Sequence, residues 1–136
     1  MTQKVYDILT KPKVIRAQIR KAEAEREGLR LSMLPPAIRY DIGKVQTSPQ
    51  DPFVQYAARF EEIERRIALL QIDYLNAQDD VVSLANKLEE PQSTIITLRF
   101  VSGMDFNEIS KSIHMSERNM FRHYRKGTEE LNKICQ

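Results

Sequence analysis

The sequence has no tryptophan, only four glycines and a single cysteine, and these shortages exclude several classes of protein. Aromatic residues make up 7% of the 136 positions, which is a poor fit to a sheet-rich enzyme. Cys135 cannot form an internal disulfide, and this indicates a reducing compartment. No apolar run approaches the roughly 18 residues that a membrane span needs, and the start lacks the apolar region of a signal peptide. We therefore expect a cytoplasmic protein.

The residues that are abundant favour helices, and their charges are unevenly distributed. Leu, Ile, Ala, Glu, Lys, Arg and Gln dominate, and these side chains lose little freedom in a helix. Residues 1–33 carry eight Lys and Arg against four acids, residues 34–90 carry six against ten, and residues 91–136 carry seven against five. We predict an all-α protein whose segments meet different neighbours.

Apolar residues at spacings of three and four predict a first helix over residues 13–33. Pro12 suits its first turn, and Pro35 ends the helix with the proline that follows it. Residues 34–52 then form a proline-containing loop, which is long for a compact domain. Residues 45–49 within this loop allow two interpretations: a clamp that caps the next helix, which we prefer, or a contact with DNA or a partner.

The strongest periodicity runs from Phe53 to Leu88, where apolar residues alternate at spacings of three and four. It predicts a long coiled-coil helix, which cannot bury its apolar seam alone. The first helix can fold back antiparallel on this seam, or the same helix of a second subunit can cover it. We predict both, so that residues 1–90 form a helical hairpin that makes a homodimer. The predicted dimerisation residues are Phe60, Ile63, Ile67, Leu70, Tyr74, Ala77, Val81 and Leu84.

Residues 91–136 show a shorter periodicity that predicts a separate domain. Three helices are expected, at about 91–102, 105–113 and 116–134. Asp105 and Glu108 form a capping box at the start of the second helix, and Ser116 caps the third. Two short helices joined by a turn of about three residues, the second of them basic, are typical of a helix-turn-helix.

The last helix divides into an inward and an outward side. Met120, Tyr124, Gly127 and Leu131 are predicted to point inward, with His123 beside them. The outward side is predicted to enter the major groove of double-stranded DNA, where arginine pairs with guanine and glutamate with cytosine. Candidate base contacts are Glu117, Arg118 and Arg122, with Phe121 against thymine methyls or a partner domain. Candidate phosphate contacts are Arg125, Lys126, Lys111 and Arg99.

No feature of the sequence supports catalysis or a metal site. The acids of the long helix are better explained as a solvated face, and two isolated histidines are too few for zinc. The segment GKVQTS lacks the spacing of a phosphate-binding loop. We therefore expect no enzyme activity, no metal and no cofactor.

The stretch TLRFVSGMDFNEISKSIHMSERNMFRHYRKGTEEL, at residues 97–131, resembles region four of bacterial sigma factors. That family reads the upstream promoter element with a helix-turn-helix. The sequence departs from the family pattern at two positions, since His114 replaces the usual turn glycine and Gly127 stands where alanine is commoner. The resemblance implies a DNA-binding domain over residues 91–136.

A second resemblance covers nearly the whole chain and includes the loop YDIGKVQTSPQDP, the long helix and the sigma-like domain. These features are similar to small proteins of Gram-positive phages related to the RinA and ArpU type of late transcriptional regulators. The resemblance implies a sequence-specific regulator in the bacterial host cytoplasm that activates late genes, and it leaves RNA polymerase open as a further partner. The alternatives are a small terminase-like DNA-packaging subunit and a helical module that docks on RNA polymerase. A membrane partner is not expected, because the basic first helix has a narrow apolar stripe.

Overall fold

The computed structural model describes residues 1–33 and 51–136, and these residues form five helices without a strand. The predicted all-α fold is confirmed. The predicted 34–52 loop lies outside the described residues except for its last two positions, and residues 45–49 lie outside them as well. The helices are α1 (Gln3–Ser32), α2 (Pro52–Ala85), α3 (Gln92–Phe100), α4 (Phe106–Ser112) and α5 (Glu117–Ile134).

Helix α1 begins ten residues before the predicted start at residue 13. Pro12 lies inside this helix, although a proline cannot donate the hydrogen bond of an internal turn. Val5 and Leu9 are buried at 0% and 1% exposure and extend the same apolar stripe toward the N-terminus. Because their burial favours the helical conformation, tertiary packing outweighs the local effect of the proline.

Helix α2 ends at Ala85, three residues before the end of the predicted periodicity at Leu88. The amide of Leu88 donates to the carbonyl of Ala85 across a turn at 3.0 Å. Leu88 is nevertheless buried with Val81 and Ala85, so the last residue of the predicted seam packs from the turn and not from the helix.

The chain divides into two compact units, of which the first contains residues 1–16 and 73–136. One hydrophobic core of this unit joins α1, α2, α3 and α5. In addition, the amide of Thr2 donates to Oδ1 of Asn132 of α5 at 2.9 Å. The domain boundary predicted at residue 90 falls inside this unit, because the start of α1 and the end of α2 pack with the C-terminal helices. The buried members of this core are Val5, Leu9, Val81, Ala85, Leu88, Ile96 and Leu131.

The second unit contains the described part of residues 17–72. Ala22 of α1 packs on Ile63 and Ile67 of α2. Two ion pairs flank this contact: Arg26 Nη1 lies 2.9 Å from Glu64 Oε1, and Arg66 Nη1 lies 2.7 Å from Glu25 Oε2. Glu25 pairs with Arg66, and the next residue, Arg26, pairs with Glu64, so residue numbers rise along α1 as they fall along α2. The two helices therefore run antiparallel in this unit. Arg26 is a charged residue within the apolar stripe of α1, and its guanidinium pairs there with the Glu64 carboxylate. Both ion pairs are partly exposed, so each adds at most about 1 kcal/mol.

The seam predicted to dimerise is covered by α1 of the same chain in both units. Ile63, Ile67 and Leu70 belong to the cluster with Ala22, and Val81 and Leu84 belong to the cluster with Leu9. Ala77 is also buried, whereas Phe60 and Tyr74 are half-buried. The longer α1 reaches the part of the seam that the sequence assigns to a second subunit. The homodimer stays a prediction. The seam residues in these clusters already pack against α1 of the same chain.

In the ranges 1–33 and 51–136, no helix is both long enough and apolar enough to cross a membrane.

Candidate nucleic-acid interface

Helix α4 begins at the cap that the sequence predicts. The backbone of Asp105 is extended, and its carboxylate accepts a hydrogen bond from the amide of Glu108 at 2.8 Å. Gly103, two residues earlier, has a φ of 72°, a left-handed conformation that glycine adopts without steric cost. The chain therefore turns sharply out of α3 and starts α4 with one amide already paired.

The turn between α4 and α5 is tight, and its geometry is set by local hydrogen bonds. His114 has a φ of 56°, a left-handed conformation, at the turn position where the sequence resemblance implies a glycine. The amide of Met115 donates to the carbonyl of Ser110 at 3.0 Å, and Ser116 Oγ accepts from the amide of Asn119 at 3.2 Å. The left-handed conformation costs a residue other than glycine about 1–2 kcal/mol, and His114 nevertheless adopts it in this turn.

The inward side of α5 matches the prediction. Met120, Gly127 and Leu131 are buried, and Tyr124 is half-buried. A Cβ placed on Gly127 would lie 3.2 Å from Cβ of Gln92, so α5 and α3 approach closely at this glycine. Burial raises the pKa of the Tyr124 hydroxyl above its ordinary value.

An aromatic cluster fixes α4 against α5. The ring of Phe106 lies 4.7 Å from that of Phe121 and 5.1 Å from that of Tyr124, measured between centroids. The guanidinium carbon of Arg99 lies 4.3 Å from the centroid of Phe106, and Arg99 Nη1 donates to the carbonyl of Met104 at 3.1 Å. Arg99 and Phe121 are predicted DNA contacts, and the structure places both inside this cluster, where they make contacts within the domain.

The outward side of α5 carries a row of exposed cations. Arg118 and Arg122 are four residues apart and share one side of the helix. Arg122 Nη2 donates to Oδ1 of Asn119 at 2.8 Å, which restrains the guanidinium on that side. Asn119 is absent from the predicted site, although its position three residues before Arg122 could have indicated it. The predicted contacts that are exposed are Glu117, Arg118, Arg122, Arg125 and Lys126 on α5 and Lys111 on α4.

His123 is half-buried, in agreement with its predicted packing role. Its Nδ1 atom is buried and has no hydrogen-bond partner among the described residues. Within those residues no group of three or more His, Cys, Asp and Glu side chains is arranged to hold a metal ion. The exposed charged groups on the outward side of α5 are guanidinium and ammonium groups and the carboxylate of Glu117.

A helix of seven residues and a helix of 18 residues, both capped and joined by a tight turn, with a basic outward side on the second, define a helix-turn-helix domain. Residues 78–131 match the family model of Sigma-70, region 4, which confirms the sigma-like resemblance of this part of the chain. The match begins within α2, whose last turns pack in the same unit as α3 and α5. A region 4 match of this kind suggests a DNA-binding domain of a transcription regulator. No curated protein and no solved structure matches the chain.

Proposed function

We propose that this protein is a sequence-selective DNA-binding regulator of transcription that inserts α5 into the major groove. The observation that carries the proposal is the pair Arg118 and Arg122, exposed within the first two turns of a helix whose opposite side is buried. The first turns of a recognition helix are the part that meets base edges. An arginine there can donate two hydrogen bonds to a guanine.

The other exposed groups have complementary roles in this proposal. Lys111, Arg125 and Lys126 contact phosphates, which sets the register of the helix without reading the sequence. The hydrogen bond from Arg122 to Asn119 holds the guanidinium before DNA arrives, which reduces the rotamer freedom lost on binding. The Glu117 carboxylate accepts from a cytosine amine and repels phosphate in a misaligned register.

The biological setting proposed here is a phage or prophage in a bacterial host cell, with activation of late genes as the role. This part rests on the sequence resemblance to the RinA and ArpU type of regulators. Sigma region 4 domains bind both DNA and RNA polymerase, so polymerase is the second proposed partner.

The decisive experiment is selection of bound duplexes from a random pool with the full chain, followed by affinity measurements on the enriched sequence. We expect Arg118→Ala or Arg122→Ala to weaken binding to that sequence by about 1–3 kcal/mol, while binding to unrelated DNA changes less. Lys133→Ala serves as the control, because Lys133 is an exposed cation in the last turn of α5. Equal losses on both kinds of DNA would contradict base reading by these arginines.

The same measurements separate the alternatives. A protein that enriches no duplex but is retained by RNA polymerase is an interaction module. A protein that binds DNA as a ring of many subunits is a terminase-like packaging subunit, and its mass in solution would identify it.

A further inference from the structure

Three large apolar side chains are exposed on α2 at successive turns. Leu69, Ile72 and Leu75 are exposed at 58%, 55% and 59%, and we call them the outer face of α2. Ile72 follows the buried Ile63 by nine residues, which is two and a half turns at about 3.6 residues per turn. The outer face therefore lies opposite the seam that α1 covers. All three residues belong to one continuous helix, so helix geometry alone fixes their mutual positions.

A single exposed leucine is ordinary, but a continuous apolar stripe on a helix commonly marks a contact surface. Two charged residues continue this stripe at equal distances from its centre. Arg65 lies seven residues before Ile72, Asp79 lies seven residues after it, and both are exposed. The stripe is thus apolar in the middle, positive at one end and negative at the other.

This arrangement is complementary to itself when a second copy runs antiparallel. A twofold axis at Ile72 places Ile72 against the partner's Ile72, Leu69 against the partner's Leu75, and Arg65 against the partner's Asp79. A parallel copy would instead set each arginine beside an arginine and each aspartate beside an aspartate, which is unfavourable. In one chain Arg65 Nη2 lies 3.5 Å from Glu61 Oε1, and this exposed pair is weak enough to be exchanged at little cost.

We propose that the outer face of α2 binds the outer face of a second copy of this chain, antiparallel, about a twofold axis at Ile72. The proposal moves dimerisation from the seam to the opposite side of the same helix. It goes beyond the proposed DNA binding and does not depend on it. A twofold dimer that does bind DNA presents two recognition helices, which suits a palindromic site.

The first test is the mass of the full chain by light scattering over a range of concentrations. We expect twice the chain mass of 15.9 kDa for the unmodified protein. Ile72→Asp should raise the dimer Kd by roughly tenfold or more, because the dimer would bury two unpaired carboxylates. Gln71→Asp is the matched control, since Gln71 is exposed on the same helix but points about 100° away from the centre of the face.

Three outcomes of this test would overturn the proposal. They are an unmodified protein that stays monomeric, a dimer that survives Ile72→Asp, and a ring of many subunits. A monomer whose Ile72→Asp variant unfolds more readily would place another part of the same chain over the face. Circular dichroism of each variant establishes that a loss of mass is not a loss of helix.

The second test determines the orientation and starts from Cys135→Ser, which removes the only thiol. Oxidation should cross-link Ile72→Cys to itself, because only this residue lies on the axis. Leu69→Cys alone should stay monomeric under denaturing conditions, whereas combining it with Leu75→Cys should restore the cross-link. Efficient cross-linking by Leu69→Cys alone would indicate a parallel pair and overturn the antiparallel arrangement.

Arg65→Asp should weaken the dimer, and adding Asp79→Arg should restore it.

Discussion

The guanidinium group of Arg99 connects α3 to the start of α4. It donates to the Met104 carbonyl at 3.1 Å and lies 4.3 Å from the ring centroid of Phe106. Phe106 in turn contacts Phe121 and Tyr124 on the recognition helix. Arg99 therefore supports the position of α5 without lying on its outward side.

We expect Arg99→Gln to lower the free energy of unfolding by about 1–2 kcal/mol, because it removes a cation–π contact and a charge-assisted hydrogen bond. Urea unfolding followed by circular dichroism measures this change. Lys111→Gln removes one positive charge from an exposed position on α4 and should stay within about 0.5 kcal/mol of the unmodified protein. If the two variants are equally stable, Arg99 has no supporting role.

The helix caps could be predicted residue by residue, whereas the aromatic cluster could not. Asp105 and Ser116 accept hydrogen bonds from amides three residues ahead, so the sequence alone contains both partners. The position of Phe121 depends on how α4 crosses α5. Periodicity separates the two sides of a helix, but it does not say how far a neighbouring helix covers the boundary between them. Arg99 and Phe121 lie at such boundaries, so the sequence alone does not indicate their contacts with Phe106.

The first turns of α1 form part of the first unit, together with α3, α4 and α5. Leu9 is 1% exposed and packs in the core that contains Ile96 of α3 and Leu131 of α5. The Sigma-70 region 4 match covers residues 78–131, so this part of the core comes from outside the matched segment. The unit that contains the recognition helix therefore includes the first turns of α1.

We expect Leu9→Ala to lower the free energy of unfolding by about 2–5 kcal/mol, because it leaves a cavity in this core. Thermal unfolding of the full chain measures the loss. Val14→Ala on the same helix is the control, since Val14 is 53% exposed and should contribute little. A loss as small as that of the control would show that α1 is not part of the folding unit.

The antiparallel pairing of α1 with α2 could be predicted from the sequence, but the ends of both helices could not. The apolar seam of α2 has a regular spacing that can be seen in the sequence. The predicted first helix is the nearest apolar helix along the chain that can cover it. Pro12 is an ordinary signal for a helix start, and here the burial of Val5 and Leu9 overrides it. The periodicity also extends beyond the end of α2 for a related reason, because Leu88 keeps the apolar spacing while lying in a turn. Local rules fail at positions where long-range packing supplies the larger free energy.

The net charge of +2 on the chain conceals a local concentration of positive charge. The segment from Glu117 to Lys126 carries three arginines and one lysine against a single carboxylate. Residues 34–90 carry an excess of acids, which disfavours contact with phosphates there. Attraction to DNA should therefore come from a few cations and not from the chain as a whole.

The salt dependence of DNA binding measures how many cations take part. Each phosphate contact contributes about 0.9 to the slope of log K against log salt concentration, because binding releases condensed counterions. Lys126→Gln and Lys111→Gln should each reduce that slope by about 1. Arg99→Gln should leave it unchanged, since the Arg99 guanidinium is held by Met104 and Phe106. A reduced slope for Arg99→Gln would mean that this side chain leaves the aromatic cluster to bind phosphate. An unchanged slope for both lysine variants would place the DNA on another surface, because Lys126 lies on the recognition helix and Lys111 lies on the helix before it.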